Sequence, residues 1–245
     1  MSLFSKVETA PRDPILGLNE QFNADTNPAK VNLGVGVYFD DNGKLPLLRC
    51  VQAAEHTMAQ APKARGYLPI DGIVAYDSGV KNLVFGETSN VVSSGCVATV
   101  QAIGGTGGLK IGADFLKKIS PNAKVLISDP SWENHRALFT NAGFVVENYR
   151  YYDAATRGID FAGMLSDLNA APAGTIVLLH ACCHNPTGYD ITPAQWDQVV
   201  EVCKAKNLTP FLDMAYQGFG YGLEEDGQAV AKFVAAGLQF FVSSF

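Results

Sequence analysis

Short apolar runs alternate with longer amphipathic segments along most of the chain. The predicted strands cover residues 97–103, 124–128, 144–149, 175–179, 210–212 and 239–243, and the predicted helices cover residues 14–23, 48–61, 73–85, 109–119, 135–142, 161–169 and 193–206. This alternation is typical of parallel strands joined by crossover helices. We therefore predict an α/β fold with a mostly parallel sheet sandwiched by helices.

The apolar run at residues 175–179 and the segment from His180 to Phe219 that follows it form the clearest strand–helix–strand unit. Its helix is expected to begin with Thr192 as N-cap and Pro193 at the first helical position. A right-handed crossover makes the flanking strands parallel, so Asn185 after the first strand and Asp213 after the second are expected at the same edge of the sheet. Open parallel sheets bind ligands at that edge. Taken singly, each residue also fits an ordinary turn or a helix N-cap.

Composition and charge narrow the class of protein. The chain has 245 residues, of which 47% are hydrophobic and 17% charged, and this predicts a globular protein with a sizeable core. The net charge is −6 and Lys and Arg do not cluster, so no nucleic-acid partner is expected. No apolar stretch reaches about 18 residues and the amino-terminal segment lacks a signal-peptide core, so neither a membrane span nor secretion is expected.

The cysteines are odd in number and form no C-x-x-C motif, which favours reduced, mostly buried thiols in a cytoplasmic protein. They are Cys50, Cys96, Cys182, Cys183 and Cys203. With His180 and His184 on either side, Cys182 and Cys183 suggest a metal site. Neighbouring side chains at the end of a strand point to opposite faces, however, so we expect no metal there.

Residues 104–108, Gly-Gly-Thr-Gly-Gly, are predicted as a loop between a strand and a helix. Free backbone N–H groups and the helix dipole stabilise an anion at such a place by about 0.3–2 kcal/mol, with Gly105 allowing close approach and Thr106 adding a hydroxyl. No Walker lysine follows, and Lys110 occupies the third glycine position of a dinucleotide fingerprint. Asp129 nevertheless lies about where a ribose-binding acid would. A dinucleotide-dependent oxidoreductase and a purely structural glycine-rich helix entry therefore stay open as alternatives.

A phosphate cradle combined with a carboxylate, an amide and aromatic side chains fits a small phosphorylated ring that carries a nitrogen, such as pyridoxal phosphate (PLP). The ring nitrogen of PLP must stay protonated to draw electrons from a carbanion, and a neighbouring Asp213 carboxylate favours that form by about 1.5–3 kcal/mol. Asn185 would donate to the phenolic oxygen. Trp132 would stack on the ring, or serve only as a core tryptophan.

Six segments together carry a resemblance to a known family. They are residues 34–38 (GVGVY), 66–70 (GYLPI), 104–107 (GGTG), 129–135 (DPSWENH), 182–188 (CCHNPTG) and 213–219 (DMAYQGF). The chain resembles the class I, fold-type I, PLP-dependent aminotransferases of the aspartate and aromatic subgroup. Within that subgroup it resembles the bacterial aromatic-amino-acid (tyrosine) aminotransferases slightly more than the aspartate aminotransferases. The resemblance implies transfer of the amino group of an aromatic or dicarboxylic L-amino acid to a 2-oxo acid, 2-oxoglutarate, through PLP and pyridoxamine phosphate.

The resemblance also implies which residues surround the cofactor ring. Trp132 stacks on the pyridine ring, and Asp213 pairs with the ring nitrogen, with His135 behind it. Asn185 and Tyr216 contact the phenolic oxygen. Asp213, Tyr216, Asn185 and Trp132 are thereby implied as catalytic, and Trp132 and Asn185 also lie against the substrate.

Further implied roles concern the phosphate, the substrate and the partner subunit. Gly105, Thr106 and Ser244 hold the PLP phosphate. Gly36 lies against the substrate carboxylate and closes over it. Tyr67 reaches the phosphate of the other subunit, which implies a homodimer.

The resemblance implies two domains, an amino-terminal arm with part of a small domain in residues 1–44 and a PLP-binding large domain in residues 45–245. In the family, a serine and then the Schiff-base lysine follow the stretch that matches Ser243 to Phe245, so this lysine would fall two positions after Phe245. Internal lysines such as Lys110 and Lys204 lie on predicted helices and do not qualify. We expect the functional polypeptide to continue, with an inactive truncated fragment as the alternative.

Overall fold

The computed structural model describes residues 4–8, 14–32 and 36–245, and it divides into two compact units, Met1–Gly66 and Tyr67–Phe245. The first unit contains helices α1 (Pro14–Ala24) and α2 (Arg49–Gln60), both as predicted. Residues 33–35, which include part of the GVGVY segment, lie outside the described residues. The division at residues 44 and 45 stays a prediction.

The second unit is built on a parallel sheet. Its helices are α3 (Val74–Phe85), α4 (Asn90–Ser93), α5 (Gly104–Ile119), α6 (Glu133–Asn141), α7 (Phe161–Ala170), α8 (Pro193–Ala205), α9 (Leu223–Asp226) and α10 (Gln228–Ala235). Its strands are β1 (Lys124–Asp129), β2 (Val145–Arg150), β3 (Tyr152–Asp153), β4 (Gly158–Ile159), β5 (Ile176–His180), β6 (Thr209–Met214) and β7 (Phe241–Ser244). Five strands pair in parallel in the order β2-β1-β5-β6-β7, and β3 and β4 form a separate hairpin. The predicted α/β fold is confirmed.

Both faces of the sheet are buried at the strands β1, β5 and β6, as the apolar runs of these strands require. In β5, Val177 and Leu179 belong to the core cluster that contains residues of α7, α8 and α10. Ile176 and Leu178 belong to the cluster that contains residues of α5 and α6. All four side chains are at most 1% exposed. Since successive side chains of a strand point to opposite faces, β5 is the centre of a helix–sheet–helix sandwich.

Two predictions in the middle of the chain are wrong. Residues 97–103 form no strand, because no neighbouring strand pairs with them; the backbone of Gln101 instead donates to the carbonyl of Asp71 at 2.8 Å. Residues 104–108 are not a loop but the first turn of α5. Gly104 has φ +63°, a left-handed conformation that glycine adopts without strain, and the helix begins there.

The strand–helix–strand unit from β5 through α8 to β6 has the predicted form. Thr192 caps α8 by accepting a hydrogen bond from the backbone of Gln195 at 3.3 Å, and the Gln195 side chain accepts one from the backbone of Thr192 at 2.8 Å. Pro193 follows at the first helical position. This capping box fixes where the loop after β5 ends and α8 begins.

The order of the strands creates a crevice at their carboxyl ends. The chain passes from β1 outward to β2 and then returns to β5 on the other side of β1, so the strand order reverses between β1 and β5. Ligands of open α/β sheets bind at such a switch point. Of the described helices, none has the length and apolar character needed to cross a membrane.

Candidate active site

A buried carboxylate–imidazole pair lies at the carboxyl end of β6. Asp213 is 6% exposed, and its Oδ2 accepts a hydrogen bond from Nε2 of His135 at 2.7 Å. On the other side of the ring, Nδ1 of His135 is hydrogen-bonded to the hydroxyl of Ser131 at 2.8 Å. The chain from Ser131 through His135 fixes the orientation of the Asp213 carboxylate. Among the described residues, His135 alone forms a side-chain hydrogen bond with this carboxylate, and it does so at Oδ2. The second oxygen, Oδ1, can therefore accept a hydrogen bond from another donor.

Trp132 lies beside this pair at the entry to α6, where it occupies the N-cap position. It is half-buried, and its ring meets that of His135 edge-on at a centroid distance of 5.3 Å. The structure therefore places Trp132, His135 and Asp213 next to one another, and their roles stay predictions that rest on the family resemblance. The position of Trp132 leaves part of its ring uncovered.

The first turn of α5 presents backbone donors near the same edge. The first hydrogen bond of this helix joins the backbone of Gly107 to the carbonyl of Ile103, so the N–H groups of Gly104, Gly105 and Thr106 have no partner among the described residues. Such groups and the helix dipole stabilise an anion. Thr106 itself is exposed.

Strand β7 connects this turn to Asp213. Ser243 is the register partner of Asp213, and its hydroxyl donates to the carbonyl of Gly105 at 3.5 Å. Neighbouring strands lie about 4.8 Å apart, and β7 is the one strand that links the carboxylate on β6 to the start of α5. Ser244, the predicted phosphate ligand, pairs with Met214 and is half-buried.

The other predicted site residues have no described hydrogen bond or ring contact with Asp213 or His135. Asn185 is half-buried in the turn after β5 and has no described side-chain hydrogen bond. Tyr216 is 41% exposed just after β6, and the thiol of Cys183 lies 3.9 Å from its carbonyl oxygen. Tyr67 is fully exposed, and Gly36 belongs to the first unit.

Two further histidines, which the sequence analysis did not assign to the site, complete a buried cluster. The ring of His180 lies 4.9 Å from that of His135 and 4.1 Å from that of His184. His184 is hydrogen-bonded to Ser128 at 2.9 Å and to Thr187 at 2.8 Å. The chain contains only four histidines, and three of them follow predicted strands, which is the sequence signal that could have revealed this cluster.

His180 and His184, the two histidines beside the Asp213–His135 pair, are both kept in their neutral form. Burial lowers the pKa of His180 well below its ordinary value, and the nearby His184 and His135 lower it further. Burial lowers the pKa of His184 to about 4, with a smaller contribution from His135. Both rings are therefore uncharged at neutral pH. Neither ring nitrogen of His180 has a described hydrogen-bond partner, although both are buried.

These depressed pKa values predict loss of stability in mild acid. In the unfolded chain His184 takes up a proton near its ordinary pKa of 6.5, whereas in the folded chain it does so only near about 4. The free energy of unfolding should therefore fall as pH drops through that window, by about 1.4 kcal/mol per pH unit for each histidine kept neutral. Urea unfolding at several pH values measures the slope. His184→Gln should lower this slope by about 1.4 kcal/mol per pH unit, the contribution of one proton. A free energy of unfolding of the wild type that does not change across the window would contradict the prediction.

Comparison with known proteins identifies the family. A family model described as aminotransferase class I and II matches residues 28–245. The aspartate aminotransferase of Pseudomonas aeruginosa is 65% identical over 244 residues, which cover 100% of this chain and 61% of that protein. The tyrosine aminotransferase of Klebsiella pneumoniae is 48% identical over 243 residues, covering 99% of this chain and 61% of that protein.

A solved structure agrees with these relatives. The crystal structure of an aromatic-amino-acid aminotransferase from Burkholderia pseudomallei, covalently bound to pyridoxal phosphate, superposes with a TM-score of 0.97 at 65% identity. The match covers 100% of this chain and 61% of that one, so the chain spans about three fifths of the length of these relatives. By its sequence and by its fold, the chain belongs to the class I and II aminotransferase family.

Proposed function

We propose that the protein is a PLP-dependent aminotransferase that moves the amino group of an aromatic or dicarboxylic L-amino acid to 2-oxoglutarate. The observation that carries this proposal is the buried Asp213–His135 pair, which lies about one strand away from the unpaired amides at the start of α5. The names of the relatives, aspartate and tyrosine aminotransferase, support the reaction class. The same family match speaks against the dinucleotide-dependent alternative.

The chemistry of these groups fits PLP. Asp213 is a buried acceptor suited to a protonated ring nitrogen, and the amides of Gly105 and Thr106 are donors suited to a phosphate. The Burkholderia pseudomallei relative is a PLP-bound protein, which supports the same cofactor here. When bound, PLP supplies the electron sink for the carbanion of the amino acid.

The roles of this chain's own residues follow from their positions. Asp213 holds the proton on the ring nitrogen, because an adjacent carboxylate favours the protonated form. His135 is a positioning residue, since it acts through the Asp213 carboxylate and is itself held by Ser131. Asn185 and Tyr216 act as donors to the phenolic oxygen, from turns that follow neighbouring strands β5 and β6.

The phosphate and substrate contacts complete the proposal. Gly105 and Thr106 bind the phosphate through their backbone, and Ser244 joins them from the end of β7. Gly36 contacts the substrate carboxylate, a role that rests on the family resemblance alone.

We also propose that the protein acts as a cytoplasmic homodimer whose partners are its amino acid and 2-oxo acid substrates, without nucleic acid or membrane. The dimer is supported by Tyr67, whose ring is fully exposed in its unit and free to reach a second subunit. The cytoplasm is supported by five free thiols and by a rice relative named as cytoplasmic.

The cofactor proposal is tested with pyridoxamine 5′-phosphate, which needs no lysine to bind. Trp132→Ala should weaken its binding by about 2- to 13-fold, because a stacked aromatic pair contributes about 0.5–1.5 kcal/mol. Equilibrium dialysis of the 245-residue chain measures this. Trp132→Phe should keep most of the affinity, and Trp196→Phe, which changes a buried tryptophan of α8, should keep all of it.

Two outcomes would count against the proposed function. If the chain fails to bind pyridoxamine 5′-phosphate, or if Trp132→Ala binds it as tightly as the wild type, the assigned cofactor site is wrong. The reaction itself is measured on the natural protein, as transfer of amino groups from tyrosine or aspartate to 2-oxoglutarate. Absence of that transfer would overturn the activity while leaving the binding result intact.

A further inference from the structure

Two adjacent thiols and a carboxylate converge behind the turn that follows β5. The sulfur atoms of Cys182 and Cys183 and a carboxylate oxygen of Asp226 all lie within 4.8 Å of one another. Cys182 is 5% exposed, Asp226 is 4% exposed, and Cys183 is half-buried. The reaction proposed above uses none of these three side chains.

The backbone explains why neighbouring cysteines can face the same point. Strand β5 ends at His180, so the alternation of side chains that the sequence analysis assumed does not extend to Cys183. Cys183 has φ +49°, a left-handed conformation that is uncommon for residues other than glycine. Asp190 holds this conformation by accepting hydrogen bonds from the backbone of Cys183 at 2.7 Å and of His184 at 2.8 Å.

Asp226 is fixed in place as an anion. Its Oδ2 accepts hydrogen bonds from the backbone of Gly218 at 2.8 Å and Gly220 at 3.0 Å, and its Oδ1 accepts one from Tyr221 at 2.9 Å. Burial alone would raise the pKa of Asp226, but these backbone donors together lower it below its ordinary value. A carboxylate oxygen has two lone pairs, so an oxygen that accepts one backbone hydrogen bond can also bind a cation.

From this geometry we propose that Cys182, Cys183 and Asp226 bind a thiophilic divalent cation of the Zn²⁺ class through two sulfur atoms and one oxygen. Around tetrahedral zinc, with Zn–S of about 2.3 Å and Zn–O of about 2.1 Å, ligand atoms lie roughly 3.6–3.8 Å apart. The described atoms are therefore within about 1 Å of a coordinating arrangement. Water would take the fourth position, and thiolate ligands select Zn²⁺ or Cd²⁺ over Mg²⁺ or Ca²⁺.

Binding exchanges protons for the cation without any redox change. Burial raises the pKa of both thiols, and the carboxylates of Asp190 and Asp226 raise that of Cys183 further. Without a cation the thiols are therefore neutral. As each sulfur bonds the cation it releases its proton to solvent, so two S–H bonds are replaced by two metal–sulfur bonds.

The test is equilibrium dialysis of the full chain against Zn²⁺ in a phosphine reductant, followed by metal analysis. We expect one Zn²⁺ per chain, release of about two protons for each cation, and replacement by Cd²⁺ with the ultraviolet absorption of a cadmium dithiolate. Cys182→Ser and Cys183→Ser should each weaken binding by more than about 100-fold, since even outer-shell changes cost 10- to 100-fold. Cys50→Ser with Cys96→Ser, which changes two exposed thiols, is the matched control and should bind normally.

The described residues contain a second cluster that could bind a cation, formed by His135, His180 and Asp213. The variant His180→Gln removes a ligand of that cluster alone and so shows which cluster holds the cation. If His180→Gln loses the cation while Cys183→Ser keeps it, the proposed site is wrong. Failure of the wild-type chain to bind Zn²⁺, or a cadmium spectrum without thiolate absorption, also overturns it. Circular dichroism shows which cysteine variant is folded, and either one suffices. None of these results depends on binding of pyridoxamine 5′-phosphate.

Discussion

Asp213→Asn should lower the affinity of the chain for pyridoxamine 5′-phosphate by about 10- to 150-fold, which corresponds to the 1.5–3 kcal/mol of a charge-assisted hydrogen bond. In the natural protein the same change should lower kcat for transamination by about 10²–10³, as loss of one preorganised electrostatic contact does in other enzymes. The reason is that a neutral amide no longer favours a proton on the ring nitrogen. Equilibrium dialysis and steady-state kinetics measure the two effects.

The choice of asparagine keeps the test separate from folding. The amide has the size of the carboxylate and can still accept a hydrogen bond from His135, so the circular dichroism spectrum should stay that of the wild type. Ser131→Ala should have a smaller effect, because Ser131 reaches the carboxylate only through His135. Asp197→Asn, an exposed carboxylate on α8, is the control and should change neither affinity nor rate. A folded Asp213→Asn protein with wild-type affinity and rate would refute the role.

The sequence was sufficient to predict the five strands of the parallel sheet, and with them the residues at their carboxyl ends, to within a few positions. Apolar runs such as residues 175–179 identify buried strands, and parallel pairing then brings their carboxyl ends to one edge. In the structure His180 of β5 is the register partner of Asp213 in β6, and Ser243 of β7 is its partner on the other side. Since topology alone determines this proximity, the position of Asp213 could be inferred without coordinates.

Side-chain orientation within the turns could not be inferred in the same way. The convergence of Cys182 and Cys183 depends on the left-handed backbone of Cys183, which Asp190 stabilises from seven residues away. No local pattern of hydrophobic and polar residues encodes such a hydrogen bond. The stacking of His184 on Tyr151, at 4.0 Å, likewise joins residues from separate elements.

Residues 97–103 show a different limit of sequence patterns. Their apolar composition favours a strand, but a strand also needs a neighbour that offers backbone donors and acceptors. Val100 is 51% exposed and Ile103 is 94% exposed, so these residues pack against little. Composition describes what a segment prefers, whereas pairing depends on the rest of the fold.

Gly112→Ala should destabilise the protein, although alanine is the better helix former by about 1 kcal/mol. A Cβ atom at Gly112 would lie 2.5 Å from Cζ of Phe211, and real contacts are never that short. Phe211 cannot move aside, because it is 1% exposed and its ring lies 5.8 Å from that of Phe139 and 5.7 Å from that of Phe241. Forcing an extra carbon into such a core costs about 1–3 kcal/mol, so the net change should be unfavourable.

Gly79→Ala is the matched control for this last prediction. Gly79 also lies inside a helix, α3, but a Cβ atom there would meet nothing within 4 Å. This change should stabilise the protein by about 0.5–1 kcal/mol, so denaturant unfolding should show changes of opposite sign for two chemically identical substitutions. Phe211→Leu is expected to relieve the clash with the new Cβ atom. The double variant with Gly112→Ala should therefore lose less free energy of unfolding than the two single variants lose when their losses are added. If Gly112→Ala and Gly79→Ala stabilise equally, α5 does not pack closely on β6, and the helix start at Gly104 is not held against the end of β7.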